Sequence, residues 1–383
     1  MQSLWRWQRR IKMAETNRLV VDIEAIKFNI ESLRKLIGDS RYYAVVKADA
    51  YGMGVNGIVG EIEEDVDGFC VSSSSEALEL RTLGIDKDIL VLGYIQADEL
   101  ELLAREKITV TIYDLNLAKQ FDDVLLKENL RLQAHIKLDT GHGRLGFRED
   151  ANFLSNILAL KELKQIDFVG VFSHFATADE ADVSYTKQQK DCFDRMLLKL
   201  RENGFSFDLL HLSNDAGFIK HHYNYDMVRS GISLYGIYPS NLLKEEQAVV
   251  LKPAFSWYSH ISYIKDIKAG DSISYGRSFI TDKNMRVATI SIGYADGYKR
   301  TLSNKGYVLI HGKRAAILGN ITMDQMMVDI TDIHQAKVND QVTLIGRNGD
   351  EYLSVEDLAK WADTISYEIM TSISQRVSRK YIK

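Results

Sequence analysis

Cysteine, proline and long apolar runs are all scarce in this 383-residue chain, and each scarcity sets a limit. Two cysteines, Cys70 and Cys192, cannot make a disulfide framework and fit a reducing compartment. No apolar run approaches the roughly 18–20 residues that a membrane span needs. The start has no apolar h-region followed by a small-residue cleavage site, which argues against secretion and predicts a cytoplasmic protein. Positive charge is not in excess either. The formal net charge is −5, the wrong sign for a nucleic-acid-binding protein, so no nucleic-acid partner is expected. The chain has only two prolines, and nothing in the sequence accounts for that. What is present, 45% apolar and 26% charged residues, describes a well-packed globular protein long enough for two domains.

The first residues differ from the rest. Met1 to Met13 carry Trp5, Trp7, Arg6, Arg9, Arg10 and Lys12 and no acid. Residues 1–16 read as a basic, tryptophan-bearing extension. It is either an addition upstream of a second start at Met13 or a segment that lies at a membrane surface. Residues 17–245 then alternate short apolar runs with amphipathic stretches. Strands are expected at Tyr42–Val46, Gly68–Ser72, Ile89–Tyr94, Ile108–Tyr113, Arg131–Leu138, Asp167–Ser173, Asp208–Leu212 and Met227–Arg229. Helical patterns fall between them at Ser75–Leu83, Leu115–Glu128, Asp150–Leu160 and Thr186–Asn203. Eight apolar strands separated by helices, without a GxGxxG turn, predict an α/β fold of the (β/α)8 barrel type rather than an open doubly wound sheet.

Residues 246–383 have another texture. Phe255–Lys265, Arg286–Ile292, Tyr307–Ile310, Arg314–Leu318, Met326–Ile330 and Gln341–Ile345 read as short strands between Gly- and Asn-rich turns. Helices return at Ser354–Ala362 and Thr364–Ser372. A mostly β C-terminal domain is expected.

A barrel enzyme carries its chemistry at the C-terminal ends of its strands. Lys47 directly follows the first strand. It is either a snorkelling rim residue or a half-buried amine whose pKa nearby cations would depress, making it a Schiff-base nucleophile. Arg144 and Arg229 could supply those cations. Tyr51 reaches a phosphate oxygen or fills space. After the last strand, the amides of Gly231 and Ile232 beside Arg229 suit a phosphate cradle. With Lys47, they point to a phosphorylated aldehyde cofactor. No metal site is read.

Several longer motifs carry a resemblance. They are Lys47-Ala-Asp-Ala-Tyr-Gly, Lys137-Leu-Asp-Thr-Gly-His-Gly-Arg144-Leu-Gly, Phe172-Ser-His174, Met227-Val-Arg229-Ser-Gly-Ile, Ser274-Tyr275-Gly, Gly293-Tyr294-Ala-Asp-Gly297 and Met323-Asp324-Gln325. In this order, over residues 17–383, the chain resembles the alanine racemases. That resemblance implies pyridoxal 5'-phosphate, a small amino-acid substrate, and a head-to-tail homodimer with active sites shared between subunits. It makes Lys47 the lysine that holds the cofactor and one catalytic base, and Tyr275 the second base, acting in the other subunit. His174 matches the histidine that tunes that tyrosine. Arg229 matches the arginine that hydrogen-bonds the pyridine nitrogen. As a permanently protonated donor, it keeps the electron sink weak and disfavours side reactions. Arg144 matches the arginine near the cofactor's phenolic oxygen and the substrate carboxylate. Lys137 matches a lysine that is N-carbamylated in many members, although an ordinary strand lysine beside Asp139 reads the same. Tyr294, Met323 and Asp324 match the substrate entryway, Met323 through its backbone amide; the alternative is an edge of the β-domain core.

Two positions depart from the family pattern. Where an Asn-Ser pair usually holds the phosphate, this chain has Asn214-Asp215. A carboxylate about 4 Å from a phosphate would cost several kcal/mol even at an effective dielectric near 20. Asp215 is therefore expected to turn away, to be protonated, or to offer only its backbone N–H. Near the C-terminus, Gln375 replaces a tyrosine that touches the phosphate and narrows the pocket. The smaller side chain could admit and hydrogen-bond a serine hydroxyl. A branch of the family racemises serine for vancomycin-resistant cell walls behind a membrane domain, and the basic N-terminus would suit a link to one. The expected role is supply of D-amino acids for peptidoglycan. The competing readings are a decarboxylase on the same barrel and a non-catalytic protein that binds the cofactor.

Overall fold

The computed structural model describes residues 17–383, so both readings of Met1–Met13 lie outside the described residues. The chain divides into two compact units: Asp22–Ala254, and the segment ending at Val21 together with Phe255–Ile382.

The first unit is the barrel. One run of parallel strands orders Met227–Ser230, Arg41–Val45, Gly68–Val71 and Asp88–Val91. A second orders Val110–Ile112, Leu132–Asp139, Ile166–Phe172 and Leu209–His211. A parallel bridge from Leu90 to Thr109 joins the runs at one seam. Backbone bonds from Asp226 to Leu210 and from Arg229 to Ser213 join them at the other. The strands are almost continuously buried, as expected where helices cover one face of the sheet and a packed interior the other. All eight expected strands form, each within a few residues of its expected bounds.

The second unit is β-rich. Six strands, Gln341–Asn348, Tyr307–Ile310, Lys313–Leu318, Met326–Asp329, Met285–Ile290 and Phe255–Ile267, pair in sequence. The first also pairs with the last, so the sheet closes on itself. The 13-residue strand Phe255–Ile267 manages this by changing partner. Its first half pairs with Gln341–Ile345 and its second half with Met285–Ile290, each pairing with one register shift, at Trp257/Tyr258 and Ile261/Tyr263. Ser354 caps the helix Val355–Ala362 in a reciprocal box with Asp357.

The unit boundaries differ from the expected 17–245 and 246–383. Arg18–Val21 pairs antiparallel with Phe255–Tyr258 and so belongs to the β-rich unit. The next residue, Asp22, caps the first barrel helix, Ile23–Arg34, through the Ala25 amide. Residues 246–254 stay with the barrel. Buried Asn29 accepts from the Lys252 amide at 2.7 Å and donates to the Lys252 and Leu234 carbonyls at 2.8 and 3.2 Å. One buried amide thus ties the connector down, which periodicity does not reveal.

Candidate active site

The first barrel strand runs directly into a left-handed turn. Ala48, Asp49, Ala50 and Tyr51 all have φ between 53 and 56°. Four non-glycine residues in this region cost roughly 1–2 kcal/mol each, so the surroundings must hold them there. The Glu76 carboxylate accepts from the Ala48 and Ser72 amides, both at 2.7 Å. The Asp49 carboxylate accepts from the Val55 amide at 2.7 Å. This turn presents Lys47 half-buried at the barrel mouth. Burial, then the Arg144 guanidinium and, more weakly, Arg229 hold its amine below the ordinary lysine value, against Glu76 and Cys70.

Arg229 lies deeper and is only 3% exposed. Its guanidinium donates to the Ser173 and Leu212 carbonyls, both at 3.0 Å, to His211 Nδ1 at 2.6 Å and to His174 Nδ1 at 3.2 Å. An arginine can only donate, so both Nδ1 atoms accept, and both imidazoles carry their proton on Nε2. His211 Nε2 then donates to His135 Nδ1 at 2.7 Å. Burial and the Arg229 charge push the three histidines down, His135 to about 3, so they stay neutral. Burial lowers Arg229 itself to about 10. His211 stacks on Phe172, with ring centroids 4.6 Å apart.

Lys137 is buried, with its amine 4.2 Å from the centroid of the Phe172 ring. Burial and the charges of Arg229 and Arg144 hold it well below the ordinary lysine value, with Asp139 opposing. Arg144 is exposed on the loop after this strand. That loop is shaped by Asp139, which accepts from the Gly141 and Gly143 amides at 3.1 and 2.9 Å.

At the end of the last strand, a Cβ on Gly231 would lie 2.5 Å from the Tyr51 hydroxyl, so any larger residue there would have to push that hydroxyl aside. Ile232 opens a buried 3-10 turn. Asp215 does not turn away from this place, which corrects the first of its three expected behaviours. It is 5% exposed, and its carboxylate accepts from Ser230 Oγ at 2.8 Å, the Gly231 amide at 2.9 Å and the Ser233 amide at 3.5 Å. Burial pushes its pKa up, while these bonds pull it back. The Asn214 side chain caps the helix Asp215–Lys220 through the Gly217 amide at 3.0 Å, and so is engaged by the backbone.

The remaining candidates belong to the β-rich unit, where one chain of contacts links them. Tyr275 sits in a tight turn and is 74% exposed. Asn320 pins the turn from both sides: its carbonyl accepts from Ser274 Oγ at 2.5 Å, and its amide donates to the Tyr275 carbonyl at 2.7 Å. Three residues on, the Met323 carbonyl accepts from the Ala295 amide at 3.0 Å, and Thr322 accepts from the Tyr294 amide. A Cβ on Gly293 would strike the Met323 and Thr322 carbonyls at 2.3 Å, so that approach requires glycine. Arg376 binds Asp324 at 2.8 Å and buried Asp296 at 3.3 Å, which brings the exposed Gln375 to the same loops as exposed Tyr294 and Met323.

Several of these residues leave no mark as site residues in the sequence. His211 falls inside the expected strand Asp208–Leu212, where an apolar run does not mark it as part of the site. Glu76 had a signal, a Ser73-x-x-Glu76 helix start. Asn320, His135 and Arg376 had none, because their partners are distant in sequence.

The barrel residues suit pyridoxal phosphate. An amine of depressed pKa, a buried guanidinium donor and a strand-end turn with a glycine against the Tyr51 hydroxyl match the cofactor's aldehyde, pyridine nitrogen and phosphate. Asp215 is the member that matches least, since its carboxylate takes the Gly231 amide.

Comparison with known proteins agrees. Residues 21–239 match the family model for the alanine racemase N-terminal domain, and residues 254–381 that for the C-terminal domain. An alanine racemase of Methanococcus maripaludis is 41% identical, with 94% of this chain and 97% of the relative covered. One from Desulforamulus reducens is 40% identical, over 94% and 98%. Among solved structures, an alanine racemase of Bacillus anthracis with bound L-Ala-P superposes with a TM-score of 0.93 at 34% identity, covering 97% of this chain and 96% of the other. The chain belongs to the alanine racemase family, pyridoxal-phosphate-dependent isomerases of a (β/α)8 barrel and a β-rich C-terminal domain that act on a small amino acid.

Proposed function

We propose that this chain interconverts L- and D-alanine by a two-base route, with Lys47 on one face of the substrate Cα and Tyr275 of the partner subunit on the other. Bound pyridoxal phosphate supplies the electron sink that lets the Cα proton leave. Lys47, whose amine burial and Arg144 hold below the ordinary lysine value, is the base that accepts a proton at Nζ. Tyr275, exposed in its own chain and held by Asn320, is placed to work on a second copy. His174 keeps its proton on Nε2 because Arg229 occupies Nδ1, so it offers a donor to that phenol oxygen. Arg144 binds the substrate carboxylate. Lys137 carries an N-carbamate, for which an amine held well below the ordinary lysine value by burial is the reactive precursor.

The observation that carries this reading is the Arg229 centre. Each of its hydrogen-bond partners given above is a carbonyl or a neutral imidazole, so the pyridine nitrogen would meet a donor. This favours brief, reversible proton transfer and counts against the decarboxylase reading. Retention of both Lys47 and Tyr275 counts against a purely non-catalytic binder.

Gln375, exposed beside the Tyr294 and Met323 loops, supports serine as a second substrate. The test is D-isomer formation from L-alanine and L-serine, side by side, on cofactor-loaded protein. Comparable turnover supports the serine reading and, with it, the membrane-linked branch. Among the described residues no helix is long and apolar enough to cross a membrane, so such a link would use residues outside them. Alanine turnover alone makes Gln375 a neutral change, and no turnover with cofactor bound overturns the proposal. Sharing of sites between subunits is tested by mixing Lys47→Ala with Tyr275→Phe protein. Activity should partly return when subunits exchange.

A further inference from the structure

The strand-end turn after Met227–Ser230 is the phosphate position of a barrel, with amide donors, a hydroxyl from Tyr51 and no Cβ on Gly231. In this chain a side chain of its own reaches that position. Asp215 is nine-tenths buried, accepts three hydrogen bonds there, and lies with Oδ2 3.4 Å from where a Gly231 Cβ would be. One of its donors is the amide that a phosphate would use. Two anions cannot share one amide, and at about 4 Å their repulsion survives even a polarisable interior.

We propose that Asp215 is a resident anion of the phosphate cradle, which the cofactor's phosphate must displace, so that this chain holds its cofactor mainly through Lys47 and Arg229 and exchanges it readily. The carboxylate also shapes the cradle, because it bridges Ser230, Gly231 and Ser233 without help from a ligand. Burial, which favours the neutral carboxylic acid, eases the displacement without abolishing the competition. This rests on pyridoxal phosphate as the cofactor, not on which amino acid is turned over.

The test compares the native chain with Asp215→Ser and Asp215→Asn, each stripped of cofactor and titrated with pyridoxal phosphate and with pyridoxal, read by the visible absorption of lysine-bound cofactor. Both variants should bind pyridoxal phosphate about tenfold tighter or more, with pyridoxal little changed. Inorganic phosphate should raise the melting temperature of both variants and leave the native chain unmoved. The Lys47→Ala background should not alter that phosphate response. Equal or weaker binding of pyridoxal phosphate by both variants, or phosphate protection of the native chain as large as theirs, overturns the proposal. None of these readouts uses racemase turnover, so a failed activity assay and a failed displacement are separate results.

Discussion

The barrel mouth and the β-domain loops hold their functional side chains in opposite ways. In the barrel, Arg229, Lys137, His135 and His211 are buried, and the low-dielectric surroundings set their protonation as well as their position. In the β-rich unit, Tyr275, Tyr294 and Met323 are exposed, and their backbones are held by Asn320, Thr322 and Ala295, while Arg376 pairs with the Asp296 and Asp324 side chains beside them. A buried site tunes chemistry but tolerates little change. An exposed, backbone-pinned site can present a group to a second molecule at little cost to its own fold.

Lys47→Ala should have the largest effect on activity. It should remove the lysine-bound cofactor band and lower racemisation by a factor on the order of 10³ or more, checked by absorption and chiral chromatography. Retained activity would erase the division of labour between the two regions. Tyr275→Phe should cost on the order of 10²–10³ in rate while the melting temperature stays within error of the native chain, because the lost hydroxyl is exposed. Asn320→Ala should be milder, about tenfold in kcat with little change in KM, since it loosens only the Tyr275 turn.

Acid should separate the regions by stability. His135, His174 and His211 have pKa values lowered in the folded state, so the unfolded chain takes up protons first as pH falls. Their contribution is complete above the ordinary value of 6.5. It is lost progressively below that value, down to about 3 for His135. Melting followed from pH 8 to 4 should show a falling midpoint. His211→Asn should flatten the fall, although it lowers stability at pH 8 by roughly 1–3 kcal/mol through lost bonds to Arg229 and His135. The smallest effect is expected from Arg376→Ala, which should shift KM by a few-fold and leave kcat nearly unchanged.

Much of this was readable along the chain. Strands such as Gly68–Val71 and Met227–Ser230 are short apolar runs, and burial on both faces writes them directly into the sequence. The helix Leu115–Glu128 was fully legible, with its apolar period and an Asp114 cap. Arg18–Val21 was not, because a strand that precedes the barrel but pairs with Phe255–Tyr258 leaves no local mark. Nor was the left-handed turn at Ala48–Tyr51, since its residue types favour ordinary helix.

Residue identity alone chooses which groups can do chemistry: an amine after the first strand, a guanidinium on the last, a tyrosine in a Ser-Tyr-Gly turn, and an aspartate at position 215. Those choices are covalent, and no folding alters them. Their states come from packing. It placed Arg229 against His211 and His174, which fixes both tautomers, and it buried Lys137 near Arg229 and Arg144, which holds that amine well below the ordinary lysine value. It also aimed Asp215 at the Gly231 amide rather than away from it. Protonation and hydrogen-bond direction depend on what surrounds a group within a few ångströms, and most of those neighbours are far away along the chain.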